Sequence, residues 1–389
     1  MGTFLAAGLF GTWTWVDAII RINIIVLTMT VLVIYLTYGE RKIIARFQQR
    51  LGPTRTGPAG LLQGIADALK LIGKEDIRPT LADRWVFELA PFLTFTPVLV
   101  TLMVLPFADG YGVRNLPLGL FFVFAVLGLN IVGILMAGLG SGNKYALLGG
   151  VRAAAQMISY EIPLVLSLLA VAMIAGTMDL TAIAKMQSFT PGDGQYAPFI
   201  FVQPLAFLIF FTAMLSELHR APFDIPVAES EIVGGYFVEY SGMRWSIFQL
   251  TEYASMWGFS VFGSVVFLGG FAVPDTSSWI GPDWAWQLGI TGLKSFIWIV
   301  AIMWIRVTVP RLRIDQLMDF CWKVLLPLAI VQLLVNGFVL MYDLPGYMLT
   351  VSSGIGAAAL IGIIIKRAIK RPKHASLVGA YRQAGVSAQ

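Results

Sequence analysis

ELHRAPFDIPVAESEIVGGYFVEYSGMRWSIFQLTE, residues 217–252, decides how the rest of the chain is read. It starts at the end of one apolar run, residues 199–215, and closes inside the next, residues 247–268. Its 36 residues hold six carboxylates, Glu217, Asp224, Glu229, Glu231, Glu239 and Glu252, together with Arg220 and Arg244. An acid at bilayer depth costs a few kcal/mol even on lenient insertion scales, so it faces protein or water and marks a pathway. A solvated loop between two spans is the plain alternative. Glu217 and Glu252 lie at the span ends rather than mid-loop, which favours the pathway.

The surrounding composition belongs to an integral membrane protein. Of 389 residues, 57% are hydrophobic and 13% charged, and the mean hydropathy is +0.78. One cysteine, Cys321, and two histidines, His219 and His374, leave too few ligands for an iron–sulfur cluster, a bis-histidine haem or most metal sites. The chain is therefore expected to carry no redox centre and no covalently bound cofactor. If it serves a redox reaction, the electrons run in a partner. The net charge of +5 is a topology signal and does not point to nucleic acid.

Runs long enough to span predict an all-α, polytopic membrane protein of about nine transmembrane helices: residues 19–38, 87–107, 116–139, 153–176, 198–215, 247–271, 290–305, 324–342 and 347–365. The first lacks a basic flank and a small-residue cleavage site, so it reads as a retained span. With the amino terminus outside, 23 of the 27 lysines and arginines fall on the inner side and four, Arg21, Arg114, Lys185 and Lys294, on the outer. Eight spans would place the basic tail outside, so nine are preferred. A bacterial inner membrane is expected, with a cytoplasmic carboxyl terminus.

Three connecting stretches stand out. Between Glu40 and Val86, Gly52-Pro53 and Gly57-Pro58 mark turns. Leu61, Leu62, Ile65, Leu69 and Ile72 then recur at helical spacing, with Gln63, Asp67, Lys70 and Lys74 on the other face. This predicts an amphipathic helix along the inner membrane surface, either a plain anchor or the floor of a lipid-side opening. In the fourth span, Arg152 and Gln156 share a face near Ser159, Glu161 lies one turn deeper beside Tyr160, and Pro163 should weaken or kink the helix. A structural pair between Arg152 and Glu161 is the simpler reading of those charges. Near residues 306–323, Pro310 ends a span and Arg306, Arg311 and Arg313 surround Asp315, either as positive-inside anchors or as an electrostatic dock for a soluble partner. Arg152, Arg220, Arg311, Arg313 and Asp315 are taken as structural ion-pair residues.

Several stretches together carry a resemblance: Glu40-Arg41-Lys42; Arg50-Leu51-Gly52-Pro53; Gly60-Leu61-Leu62-Gln63 with Ala66-Asp67-Ala68 and Lys74-Glu75-Asp76; Asn143-Lys144-Tyr145; Arg152 with Ile158-Ser159-Tyr160-Glu161; Pro222-Phe223-Asp224; Glu229-Ser230-Glu231; Glu239-Tyr240-Ser241-Gly242; and Pro310-Arg311-Leu312-Arg313-Ile314-Asp315-Gln316-Leu317. In this order and spacing the chain strongly resembles the family of the membrane H subunit (subunit 1 in mitochondria) of proton-pumping NADH:quinone oxidoreductase, respiratory complex I, from about residue 15 to 342. The resemblance implies a membrane subunit that frames the tunnel by which quinone, the substrate, reaches a buried head site. The iron–sulfur clusters and FMN would belong to partner subunits. Implied partners are the hydrophilic quinone-site and iron–sulfur subunits, small membrane subunits, antiporter-like subunits and membrane lipid, with no nucleic acid. The quinone-tunnel positions map onto Glu40, Arg41, Lys42, Arg50, Asp67 and Arg306. The proton-coupling acids map onto Glu161, Glu217, Asp224, Glu229, Glu231, Glu239 and Glu252.

Two departures follow. Val227 stands where the family's acidic loop carries a glutamate, and residues 343–389 add a helix and basic tail to the family-like domain of residues 1–342. Two other readings stay open at this point. One is the homologous membrane subunit of an ion-pumping hydrogenase or of a ferredoxin- or F420-linked complex. The other is a stand-alone secondary transporter, against which stands the lack of paired, interrupted spans.

Overall fold

A computed structural model describes residues 14–110, 112, 114–189, 196–226, 229–274 and 282–369. Val227, His374 and the basic tail beyond residue 369 lie outside the described residues, as do the side chains of Glu229 and Arg367. Ten principal helices follow one another among the described residues: α1 Thr14–Phe47, α2 Gln63–Ile72, α3 Arg84–Val104, α4 Gly119–Gly140, α5 Lys144–Ala175, α6 Pro204–Glu217, α7 Gly242–Leu268, α8 Asp283–Thr308, α9 Ile314–Met341 and α10 Tyr347–Ile369. Among the same residues there is no strand, only an isolated bridge between Gln187 and Tyr196.

Every predicted span falls on a helix, and the chain is an all-α polytopic membrane protein. Among the described residues, seven helices are long and apolar enough to cross a bilayer: α1, α3, α4, α5, α8, α9 and α10. The predicted fifth span is α6, only 14 residues long and preceded by a separate turn of helix, Phe199–Val202. The sixth is α7, 27 residues whose apolar run is diluted by Arg244, Gln249, Thr251 and Glu252. Several helices overrun their predicted spans at the ends that carry charged residues. α1 continues through Glu40, Arg41 and Arg46, because a helix that has found partners for its charges has no reason to stop where hydropathy does.

The helices assemble in a compact sequence. α4 packs on α3 and α5; α5 packs on α6 and α9; α7 lies against α3 and α8; α10 lies against α6 and α9. Gly138 of α4 and Gly150 of α5 let two backbones touch: a Cβ added at Gly138 would come within 3.1 Å of the Gly150 Cα. Helix association in lipid relies on such close packing, since the lipid tails are as apolar as the side chains. Lys294 of α8 closes the carboxyl end of α7 by donating to the carbonyls of Leu268, Gly270 and Val273 at 2.5, 2.7 and 2.5 Å.

α5 runs through Pro163 as one continuous helix. Proline supplies no N–H, so the carbonyl of Ser159, four residues earlier, loses its helical donor. That carbonyl accepts instead from the Cys321 thiol at 3.0 Å. Cys321 opens a π-helical turn, Cys321–Leu325, inside α9, and Tyr160 donates to the nearby Leu317 carbonyl at 2.9 Å. The lone cysteine thus serves as a joint between two helices.

Helix α2 matches the predicted amphipathic segment. Leu61, Leu62, Ile65, Leu69 and Ile72 are all exposed. On the opposite face Asp67 accepts from Arg41 of α1 at 2.6 Å and from Gln63 at 3.1 Å, which ties the surface helix to the end of the first span.

Candidate functional site: a buried charge network

The carboxyl-terminal part of α1, the segment after α6, and helices α7 and α8 bring four charged side chains together. Glu40 is only 4% exposed and Arg220 likewise 4%. Arg306 of α8 pairs with the Glu40 carboxylate. Arg220 reaches the same carboxylate oxygen at 3.4 Å and Glu252 of α7 at 3.9 Å, and its guanidinium lies 4.7 Å over the Tyr253 ring. A buried ion needs partners on several sides, since leaving water costs several kcal/mol. Here one guanidinium has two carboxylates and an aromatic face. Arg220, taken from the sequence as a structural residue, is the link between an expected quinone-tunnel residue and an expected proton-coupling residue.

Beside this network lies a cavity of about 20 Å³ lined by Thr94, Asn130, Glu217, His219, Tyr236 and Glu252, among others. It has room for one water. Glu217 Oε2, Asn130 Oδ1 and both ring nitrogens of His219 have no hydrogen-bond partner among the described residues. His219 has a left-handed backbone, φ +48°, at the tight turn that leaves α6. Burial, reinforced by the adjacent Arg220 charge, lowers its pKa from 6.5 to about 4, so the imidazole is neutral at neutral pH. Burial, and after it the Glu252 and Asp224 carboxylates, push the Tyr236 phenol well above its usual range. Tyr240 is also pushed up by burial, which Arg244 opposes; it stacks on Phe87 with ring centres 4.0 Å apart. Glu161 of α5 is partly buried against Gly128 of α4.

The remaining candidates sit around this centre. Arg152 pairs with Glu231 of the acidic loop at 2.8 Å. The simpler reading of the sequence pairs it with Glu161, but nine residues along the continuous α5 set the two about 13.5 Å apart, out of side-chain reach. Arg311 pairs with Asp224 at 2.9 Å, pinning the acidic loop to the segment after α8. Asp315 is exposed with no ion pair among the described residues, and the backbone N–H of Arg313 donates to Gln316 instead. Glu239 accepts from Asn143 at 2.6 Å. Arg50 bonds Gln48, and Lys42 lies 5.7 Å from the Tyr38 ring, both at the surface. A second opening, about 520 Å³, runs between α1 and α8 and is lined by Tyr35, Leu36, Lys42, Phe296, Ile299 and Met303, among others. Among the described residues no group of three or more His, Cys, Asp or Glu is placed to hold a metal.

His219, Asn130, Thr94 and Tyr236 escape a reading of the sequence. His219 carries a signal, being a lone imidazole between Glu217 and Arg220, but a count of metal ligands does not register it. Asn130 and Thr94 sit in apolar runs on other helices, and nothing local marks them.

The NADH dehydrogenase family matches residues 20–337 of the chain. The H subunit of NADH-quinone oxidoreductase from Dehalococcoides mccartyi (strain 195) is 42% identical over 354 residues, covering 90% of this chain and 94% of its own. The protein of the same name from Geobacillus thermodenitrificans is 45% identical over 329 residues, covering 84% and 96%. That from Chlorobium luteolum is 46% identical over 321 residues, covering 79% and 85%. Matched along nearly its whole length by these proteins, the apolar helical bundle with its buried carboxylate–guanidinium network belongs to the family of the NADH-quinone oxidoreductase H subunit, an integral membrane component of respiratory complex I.

Proposed function

We propose that this chain frames the quinone tunnel of proton-pumping NADH:quinone oxidoreductase and passes the charge change of quinone reduction into a set of carboxylates. The observation that carries this is Arg220, shared between Glu40 and Glu252. The opening between α1 and α8 supports an entry from lipid: its walls are mostly apolar and aromatic, with Lys42 and Arg46 at one end, and Glu40 and Arg306 lie on the two helices that form it. Amphipathic α2 is tied to α1, one wall of this opening, by the bond between Asp67 and Arg41. Quinone gains two electrons and two protons, so negative charge arises transiently at the head site. A charge arising near Glu40 and Arg306 competes for Arg220 and loosens its hold on Glu252. Glu252 shares the small cavity with Glu217, and α6, which ends in Glu217, packs against α5, which carries Glu161. Carboxylates coupled this closely titrate as a group, so a perturbation at one end moves protons at the other. Glu231, Glu239, Asp224 and Glu229 belong to the loop that holds this set in place.

In this reading all nine spans cross, the amino terminus lies outside, and residues 343–389 are an addition to the 1–342 domain. Iron–sulfur clusters and FMN belong to the partner subunits of the hydrophilic arm, and small membrane subunits and antiporter-like subunits complete the membrane arm. The test is Glu161→Gln and Glu217→Gln in the assembled complex, since Gln keeps shape but not the proton. NADH:quinone turnover and acidification of membrane vesicles should fall together. Wild-type values of both in the two variants would remove the carboxylates from the mechanism.

A further inference from the structure

We propose that α10 is a tertiary cap for α6, and that Ser353 is a positioning residue for the helix whose far end carries Glu217. The chain breaks at Gln203, φ −130° and ψ 59°, between the Phe199–Val202 turn and α6. A helix start leaves backbone N–H groups without partners, and in lipid no water takes them. Pro204, at the first turn, has no N–H to satisfy. Leu205 has one, and no side chain in its own neighbourhood caps it.

The nearest candidate, Gln203, is turned elsewhere. Its amide nitrogen donates to Asn336 at 3.2 Å, and its amide oxygen accepts from Gln332 and from Asn336. Asn336 also donates to the Ala170 carbonyl of α5 at 3.3 Å. This buried amide cluster ties the break to α5 and α9 and uses up the local cap. The Leu205 N–H is taken instead by the Ser353 hydroxyl of α10 at 3.0 Å, 148 residues further along the chain.

The packing of α10 fits that task. Leu349, Ser353, Ala357 and Leu360 form its buried face, at helical spacing, with Ser353 fully buried. A Cβ at Gly356 would lie 2.5 Å from the Leu205 Cδ2, so the two helices meet closely at the capped residue. α10 touches both the Phe199–Val202 turn and α6, covering the break from lipid. Irregular backbone at membrane depth is tolerated only where protein covers it. Residues 20–337, the extent of the family match, stop short of this cover. α6 is 14 residues long, a rigid rod of about 21 Å, so fixing its start fixes Glu217 at its end. That consequence for Glu217 rests on the carboxylate reading above; the cap itself does not.

The experiment uses the assembled complex in lipid nanodiscs with Ser353→Ala, Ser353→Thr and Gly356→Leu. Hydrogen exchange is read by mass spectrometry over residues 199–217, beside NADH:quinone turnover and donor oxidation by an artificial acceptor. Ser353→Ala and Gly356→Leu should speed exchange at the start of α6 about ten-fold, the loss of one net hydrogen bond. Both should lower quinone turnover several-fold and leave artificial-acceptor oxidation unchanged, while Ser353→Thr, which keeps the hydroxyl, restores both readouts. Unchanged exchange in Ser353→Ala and Gly356→Leu would overturn the cap. Faster exchange with wild-type turnover would overturn the positioning of Glu217. A failure of the carboxylate reading shows separately, as wild-type turnover in Glu217→Gln, and leaves the exchange result intact.

Discussion

Arg220→Met is the sharpest perturbation of the site. Methionine fills much of the same volume without charge. The guanidinium it removes lies 3.4 Å from Glu40, 3.9 Å from Glu252 and 4.7 Å over Tyr253. Two unit charges about 4 Å apart attract by about 4 kcal/mol at an effective dielectric of about 20. Much of that is offset by the cost of taking the ions out of water, so the attraction alone overstates the effect. The better measure is what the removal strands. Glu40 keeps Arg306, but Glu252 has no other cation among the described residues. Taking one partner from a fully buried pair costs about 3–5 kcal/mol, and Glu252, partly exposed and 3.9 Å from the guanidinium, bears less than that. Arg220→Met should therefore inactivate at lower temperature and lose NADH:quinone turnover, with artificial-acceptor oxidation intact. Adding Glu252→Gln removes the stranded charge and should recover at least about 1 kcal/mol of the lost stability, a normal coupling for residues in contact. The assay is thermal inactivation of the purified complex, with turnover before and after, for the two single variants and the double. Wild-type stability and turnover in Arg220→Met, or a double variant no more stable than Arg220→Met, would refute the bridging argument.

Further outcomes follow from the same geometry. Arg41→Ala or Asp67→Ala should lower quinone turnover while sparing artificial-acceptor oxidation; the exposed pair itself is worth only up to about 1 kcal/mol, so equal loss of both activities would instead signal failed assembly. His219, neutral when buried, contributes stability that is full above pH 6.5 and lost as pH falls toward its folded pKa of about 4, because the unfolded chain binds the proton first. The loss approaches roughly 3 kcal/mol by pH 4, so thermal inactivation of His219→Asn should vary less with pH across that window; an unchanged pH profile would count against a buried imidazole. A reporter active only outside the membrane, fused after Gln389, should be silent, and activity there would remove the ninth span.

The membrane character, the helical class and the surface helix were legible in the sequence, because each depends on composition or on a local period. Leu61, Ile65, Leu69 and Ile72 declare an amphipathic face wherever the helix lies, and one cysteine forbids a cluster ligand set in any fold. The carboxylates of residues 217–252 were equally plain, since acids beside apolar runs need no neighbour to be noticed. Pairing was not legible. Arg152 joins Glu231 rather than Glu161, and Arg311 joins Asp224 rather than Asp315, because reach and direction depend on loop paths that hydropathy does not encode. Nor could the sequence tell that Arg220 spans Glu40 and Glu252, which lie 180 residues behind it and 32 ahead. The same holds for Ser353 and Leu205, and for Cys321 and the carbonyl that Pro163 leaves bare. Burial of apolar surface follows from the residues themselves, but satisfying a buried polar atom requires a particular partner at about 3 Å. Only tertiary structure decides who stands there.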